Sequence, residues 1–485
     1  RAGSNAWGVG ALRSVAGRAL LANDPHLELT IPGLWYLEEV RAPGMHVAGV
    51  AIPGVPGIVL GHNARIAWGA TNADAADTSL FEAPRRLHGS WVREVFHVRF
   101  AHDVTRAYYR TAREFGVRNP YDGDRLVLVR WPPFARPAPH ARSAITTFLA
   151  LDDAGSVRQA YRVLSRYAGP AENFVVADTH GDVGYHVAGT VVDDRAWGRY
   201  VHASRDLGKT FAAIAFDRLP STAPSRNAVA ISANNKMYGA HYPYRLAPFF
   251  DPPYRAYRIA ELLRERRRYD AAYFARMQLD VVSPVDGEFA HRIAAYAWQH
   301  AQPGMTKSAR ALGSWRGAFA PGSQAATVEH ALRAGVAANE PSFYAVLQQL
   351  RQGDPSPNLQ ADVNGSLYYA GDRVQPWGRA GAVAIEHPLA PLRFGFLNGV
   401  TLPGAGDEYT IRLQEPGFAQ SFRAVWDVGN WDGGGIVIPS GESGEPGSGH
   451  YTDLSAAWIA GRMQPLPFSA RAVKADTKAT LVLEP

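Results

Sequence analysis

Between residue 4 and about 110 the apolar positions come in short runs that alternate with polar ones or stop at Gly, Pro and Asn. WGVGAL, GRALLAND, WYLEEVRA, HVAGVAIPG and RIAWGATN are the clearest. A period of two, bounded by turn residues, predicts half-buried β-strands. The period becomes helical over 156–167 (SVRQAYRVLSRY) and alternates again in NFVVADTHGDVGYHVAG, where His180-Gly181-Asp182 predicts a hairpin turn. From about 257 to 352 four helical patterns follow one another: YRIAELLRERRR, GEFAHRIAAYAWQHA, QAATVEHALRAGVAAN and SFYAVLQQLRQ. After Pro376 the strands return in EYTIRL, FRAVWDVG and GIVIP, before a Gly/Ser/Pro-rich loop, SGESGEPGSGH. With no internal repeat and no long flexible linker, the pattern predicts strands first (4–255), a helical insertion (256–375) and returning strands (376–485).

Composition narrows the class. A chain of 485 residues with 46% hydrophobic, 19% charged and 11% aromatic content is globular and buries a sizeable core, which excludes a disordered tail, a fibre or a coiled coil. Fifty basic against 44 acidic side chains leave a net charge of +6, thin for a nucleic-acid binder of this length. The densest basic run, Arg264, Arg266, Arg267 and Arg268, ends a helical pattern, where cations complement the helix dipole and face water. No nucleic-acid partner is expected. The absence of cysteine excludes disulfides, thiolate nucleophiles and Cys-ligated zinc. The longest apolar stretch, 47–60, is too short to cross a bilayer and is broken by Pro53 and Pro56, so no membrane span is expected. The opening Arg1-Ala2-Gly3 has neither an initiator Met nor a signal-peptide pattern and reads as part of a longer precursor.

Several motifs fail on spacing. Gly208-Lys209-Thr210 would complete a phosphate loop only with glycine at 203, where Ala203 stands. There is no HExxH, EF-hand loop or GxGxxG, and His180 and His186 flank a turn as structural histidines. Gly441-Glu442-Ser443-Gly444 lacks the spacing and following helix of a nucleophile elbow.

What remains is the opening Gly3-Ser4-Asn5-Ala6-Trp7, followed by Asn23-Asp24-Pro25-His26-Leu27 at a strand end. Collinear with these come Pro53-Gly54-Val55-Pro56-Gly57, Gly61-His62-Asn63, Ala67-Trp68-Gly69, Asn173-Phe174-Val175, Ala233-Asn234-Asn235, Tyr254-Arg255 and Ser443-Gly444-Glu445-Pro446 with Ser448 and His450-Tyr451. Over residues 3 to 451 the chain resembles the large (β) subunit of the penicillin acylase family of N-terminal nucleophile hydrolases. The resemblance implies an α+β fold, a four-layer αββα sandwich with the helical block as an insertion. It implies an N-acyl amide hydrolase that works through an acyl-enzyme, with an acyltransferase using the same intermediate, or a dormant unprocessed binding module, as alternatives.

The chemistry accounts for such residues. A serine hydroxyl needs a base, and an N-terminal serine carries one on its own Cα, an amine with pKa near ~7.7–8.0. By resemblance Gly3-Ser4 is the autocatalytic cleavage site and Ser4 supplies both nucleophile and amine. While Gly3 stays attached, the Ser4 nitrogen is an amide and cannot act as a base. The resemblance assigns oxyanion stabilisation to the Asn234 side chain and the Asn72 backbone N–H, an orienting or oxyanion role to His26, and support of the Asn234 segment to Arg255. It places Leu27, Tyr36, Leu60 and Ala70 at acyl-pocket positions, a largely aliphatic set suited to a hydrophobic acyl chain. A conventional triad using Asp24 or His26 is the remaining reading for the serine.

No cofactor is required for this chemistry. Relatives often hold a structural calcium through two acidic residues after the Trp-Gly strand. Ala76 and Ser79 stand at those places here, with Asp74 and Asp77 out of register as the remaining metal candidates. The resemblance further implies a smaller α subunit from the upstream part of the same precursor and a small N-acyl substrate. The candidates are β-lactam side chains, acyl-homoserine lactones or N-acylated peptides and lipopeptides. It also implies a periplasmic or secreted location.

Overall fold

A computed structural model describes residues 3–119, 122–131, 142–300, 306–336, 340–353, 361–362, 365, 375–392 and 394–483. Arg1 and Ala2 of the opening tripeptide lie outside the described residues.

The alternating runs form two antiparallel sheets packed face to face. β1 (Gly3–Val9) and β2 (Leu20–Glu28) sit at the centre of the first. The second begins with β3 (Tyr36–Ala42), β4 (Met45–Ala51), β5 (Leu60–Asn63) and β6 (Ile66–Asn72). A separate sheet then interrupts the chain: β7 (Ser79–Glu82), β8 (Ser90–Phe96), β9 (Val104–Arg110), β10 (Phe115–Asn119) and β11 (Arg125–Arg130). The hairpin β12 (Glu172–Asp178) and β13 (Val183–Ala188) completes the second sheet in the order 13-12-6-5-4-3. The first sheet is completed by β14 (Val229–Ser232) beside β1 and by returning segments Phe418–Gln420 and Arg423–Asp427, both paired with β2.

β1 is buried along its whole length because both faces are covered. Ala6 and Gly8 face the second sheet; a Cβ on Gly8 would stand 3.2 Å from Leu20 O and from Val183 Cγ1, so the fit is tight here and a side chain would press on its neighbours. Trp7 and Val9 face the other way, into a cluster with Ile259, Leu263 and Phe274. That cluster is supplied by α3 (Tyr254–Arg264) and α4 (Ala271–Met277), the latter capped by Asp270, whose side chain accepts from Tyr273 N at 2.7 Å. On the far face of the second sheet lie α1 (Ala144–Leu151) and α2 (Val157–Leu164), which buries Val157, Ala160 and Leu164 at helical spacing. The result is a four-layer αββα sandwich.

α5 (Pro284–His300), α6 (Thr306–Ser314), α7 (Gln324–Val336) and α8 (Glu340–Gln352) build a core of their own around Phe289, Ile293, Leu332 and Phe343. The earlier helices α3 and α4 therefore belong to the sandwich rather than to this block. Arg333 joins the block to the rest: its guanidinium pairs with Asp286 at 2.9 Å and with Asp407, all three side chains buried.

Three sequence expectations differ from what forms. EYTIRL is not a strand, because Thr410 Oγ1 bonds Asp407 N, Asp407 O and Arg412 O and folds the segment into a compact turn. Its alternating Tyr409 and Ile411 enter two different cores. Sheet structure runs past residue 110, through β10 and β11. The basic run overshoots its helix: α3 ends at Arg264, and Arg266 lies over the Tyr273 ring at 4.2 Å.

Candidate active site

Ser4 lies on β1 opposite Pro25 and is 7% exposed. The Gly3–Ser4 peptide is intact, and Ser4 Oγ donates to the Gly3 carbonyl oxygen at 2.5 Å, so the hydroxyl rests against the carbonyl of the bond that precedes it. The Ser4 N–H donates to Asn234 Oδ1 at 2.6 Å. A free amine at the same place would keep that hydrogen bond.

Asn234 follows β14 with φ +62, a left-handed conformation that asparagine tolerates better than most residues, and it is fully buried. Its carbonyl accepts Asp251 N at 3.2 Å. Its Nδ2 donates to Asn72 O at 3.0 Å, which leaves the second Nδ2 hydrogen available. Asn72 closes β6. Because Ala73 N bonds Ala171 O across the ladder, the Asn72 carbonyl points away from β12, and the alternation of the ladder turns its N–H to the same side. Asn234 thus ties the end of β6 to the Ser4 nitrogen through its two side-chain ends.

Arg255, at the start of α3 and 2% exposed, holds this arrangement with four bonds. Its guanidinium reaches Ser4 O and Asn5 Oδ1, both at 2.8 Å, Asn234 Oδ1 at 3.1 Å and Asp251 Oδ2 at 2.8 Å. Burial pulls the Arg255 pKa down, while Asp251 and Asp24 oppose that pull.

His26 stands elsewhere than beside the serine hydroxyl. It pairs with Gly3 in the ladder, and its ring lies on the helix-facing side of the sheet with Asn5 and Asp24, opposite to the side taken by Ser4. Its Nε2 bonds Asp24 Oδ2 at 2.9 Å, while Nδ1 is buried without a partner. Burial lowers the His26 pKa and outweighs the opposing Asp24 bond, so the ring is neutral at neutral pH. Asp24 also accepts Asn5 Nδ2 at 2.9 Å, Gln420 Nε2 at 2.7 Å and Gln278 Nε2 at 3.1 Å. The His26–Asp24 pair is a dyad without the serine, which removes the geometric basis for a conventional triad. Gln278, Gln420 and Asp251 were not singled out in the sequence: Gln278 and Gln420 reach Asp24 from 254 and 396 residues away, and no motif marked Asp251, although it stands four residues before its partner Arg255.

Of the expected acyl-pocket residues, Leu60 and Ala70 are buried in the main hydrophobic core, and Leu27 packs against it. Tyr36 opens β3 and is 42% exposed. None of the four lines the cavity of about 610 Å³ that opens on Gly3, Asn72 and Arg255. The apolar walls of that cavity come instead from Phe249, Phe250, Tyr409, Leu413 and Phe418.

The metal candidates Asp74 and Asp77 both line this cavity. Asp77 takes Thr78 Oγ1 at 2.9 Å and Trp131 Nε1 at 3.3 Å, Ser79 Oγ accepts Gly198 N, and Asp74 borders the cavity. Among the described residues no group of three or more His, Asp or Glu side chains is arranged to hold a metal ion, and calcium wants six to eight oxygens.

A serine on a central strand of a four-layer αββα sandwich, its nitrogen held by an asparagine and its hydroxyl against the preceding carbonyl, defines the N-terminal nucleophile class of amidohydrolases. The family model for penicillin amidase matches residues 1–475, and the chain belongs to that family. Its family-level activity is N-acyl amide hydrolysis. Among similar curated proteins, the penicillin acylase 2 proenzyme of Pseudomonas sp. strain SE83 is 26% identical over 545 aligned positions, covering 100% of this chain and 69% of that protein. The acyl-homoserine lactone acylase QuiP of Pseudomonas aeruginosa is 24% identical, covering 96% of this chain and 67% of that protein. In fold, the chain is similar to a thermostable penicillin G acylase from Alcaligenes faecalis with a TM-score of 0.71 at 16% identity, covering 99% of this chain and 100% of that one.

Proposed function

We propose that this chain is the nucleophile-bearing subunit of an N-acyl amide hydrolase activated by cleavage of its own Gly3–Ser4 bond. The observation that carries the reading is the pair of bonds at Ser4, Oγ to Gly3 O and N to Asn234 Oδ1. In the cleaved protein the freed amine takes the Oγ proton as Oγ attacks the substrate carbonyl. The Asn72 N–H and the spare Asn234 Nδ2 hydrogen stabilise the oxyanion. The amine half leaves with the proton, an ester remains on Ser4, and water activated by the same amine releases the carboxylic acid. Arg255 is a positioning residue: it fixes Ser4 O and Asn234 Oδ1 from one buried guanidinium.

The substrate is a small N-acyl compound, with β-lactam side chains and acyl-homoserine lactones the candidates that the relatives' names support. A smaller α subunit, cut from upstream of Ser4 in the same precursor, is the expected partner, and a periplasmic or secreted location is consistent with the family. The test is covalent labelling of the processed protein with a sulfonyl fluoride. Stoichiometric modification at Ser4 that abolishes acyl-amide hydrolysis is expected; hydrolysis that survives full Ser4 labelling would overturn the assignment.

A further inference from the structure

The strand that carries Ser4 at one end runs at its other end into a basic surface. The loop 10–18 follows β1, and backbone bonds fix it against two other segments. Leu12 N donates to Arg226 O at 2.9 Å, Val15 N to Tyr269 O at 2.8 Å and Tyr269 N to Arg13 O at 2.9 Å. Residues 10–18, 225–227 and 264–276 therefore share one face. They hold eight arginines against two carboxylates, Glu265 and Asp270.

Most of that charge is unpaired. Arg18 pairs with Asp427 at 2.5 Å, and none of the other seven has a carboxylate partner among the described residues. Arg226, Arg264, Arg267 and Arg268 are exposed, and so are Arg266 and Arg276, which lie over the Tyr273 ring at 4.2 and 5.5 Å. Glu265 accepts from the Tyr273 hydroxyl at 3.3 Å and Asp270 caps α4. Asp182 adjoins through Ala11 N, which donates to Gly181 O at 2.9 Å. These three carboxylates leave the face positive. Leu12 and Val15 stand among the cations, 58% and 62% exposed.

We propose that this face docks the protein on a membrane surface of anionic phospholipid. Leu12 and Val15 enter the headgroup boundary, and the guanidinium forks around them take lipid phosphates in paired hydrogen bonds. A nucleic acid fits less well, because Tyr269 and Tyr273, the aromatic side chains nearest the arginines in these segments, are buried and offer no ring for a base to stack on. The docked orientation follows from β1. Its rise of ~3.3 Å per residue puts Ser4 about 20 Å from Gly10 along the strand. The cavity at Gly3 therefore stays open to water while the opposite end meets lipid. None of this depends on how Ser4 reacts.

The test is co-sedimentation of the protein, expressed with its upstream segment, with vesicles of phosphatidylglycerol and phosphatidylcholine in equal parts. Vesicles of phosphatidylcholine alone are the comparison. Binding at least about tenfold tighter to the anionic vesicles, and lost in high salt, is expected. Arg267→Gln with Arg268→Gln should weaken it about thirtyfold, and Arg226→Gln with Arg276→Gln serves if that pair fails to fold. Leu12→Ser with Val15→Ser should weaken it about tenfold, with the melting temperature unchanged. The aliphatic pair separates lipid from a soluble polyanion such as heparin, whose binding would follow the arginines alone. Absence of vesicle binding, equal binding to both vesicles, or binding that ignores Leu12 and Val15 would overturn the proposal.

Discussion

Gly3 and Ser4 carry opposite demands at adjacent positions. Ser4 needs its hydroxyl against a carbonyl, and Gly3 supplies that carbonyl from a place too narrow for a side chain, with His26 Nδ1 at 3.0 Å and Leu413 Cδ1 at 3.3 Å from where a Cβ would be. Gly3→Ala should slow cleavage of the 3–4 bond, read as persistence of uncut precursor on a gel time course, whereas Ser4→Ala should abolish it. Asn234→Ala removes one of the two proposed oxyanion donors and should lower kcat by ~10²–10³ with a much smaller change in KM. Two carboxyls near Asn72 give a pH signature. Glu172, opposite Asn72 in the ladder, is pushed up to about 8 by burial and then by Asp74, and Asp74 is pushed up to about 7 by burial and then by Asp251. The folded protein keeps these protons where an unfolded chain, near the ordinary 4.5 and 3.8, has lost them. Stability from these groups is complete below pH ~4 and is lost as pH rises through 7 and 8. Thermal melts should show that decline, and Glu172→Gln should flatten it; an unchanged slope would count against the shift.

Among elements, periodicity was a good guide where one face of the element meets one core. β1 to β4, β6, α2, α5, α7 and α8 all follow their apolar patterns. It misled at EYTIRL because side-chain bonds to backbone, centred on Thr410, outcompete a ladder. Asn63 shows the same kind of control in a motif whose position was readable but whose role was not. Its Nδ2 lies within 3.1 Å of the carbonyls of Leu151, Asp152 and Ala154, and its Oδ1 accepts from Arg65 N and Ile66 N. It therefore ties the β5–β6 turn to the end of α1. Asn63→Ala leaves buried carbonyls unpaired and should cost about 2–3 kcal/mol in a denaturant melt. The candidate site was partly legible for a related reason. Ser4, Asn72, Asn234 and Arg255 lie in segments with recognisable patterns, Asp251 pairs with Arg255 only four residues on but in no motif, and Gln278 and Gln420 reach the site through long-range contacts that no local pattern encodes.

At the scale of the molecule, the sandwich holds the candidate site and the helical block leans on it through a buried charge cluster and the Tyr254 ring of α3. Arg333 of α7 neutralises Asp286 of α5 and Asp407, the residue before Glu408 and Tyr409 on the cavity wall. Nearby, burial and Asp286 raise the pKa of Glu329 well above its ordinary value. Arg333→Met would leave carboxylates buried without their cation and should destabilise by about 3–5 kcal/mol. Calorimetry of the processed enzyme would read the loss.

The measurement that bears most directly on the whole is the intact mass and N-terminal sequence of catalytically active protein, expressed with its upstream segment. A large chain beginning at Ser4, with activity rising as the uncut form disappears, is the predicted result. Full amidase activity in protein whose Gly3–Ser4 bond is still joined would contradict it, because the Ser4 nitrogen would then be an amide whose lone pair is delocalised into the carbonyl and cannot serve as a base.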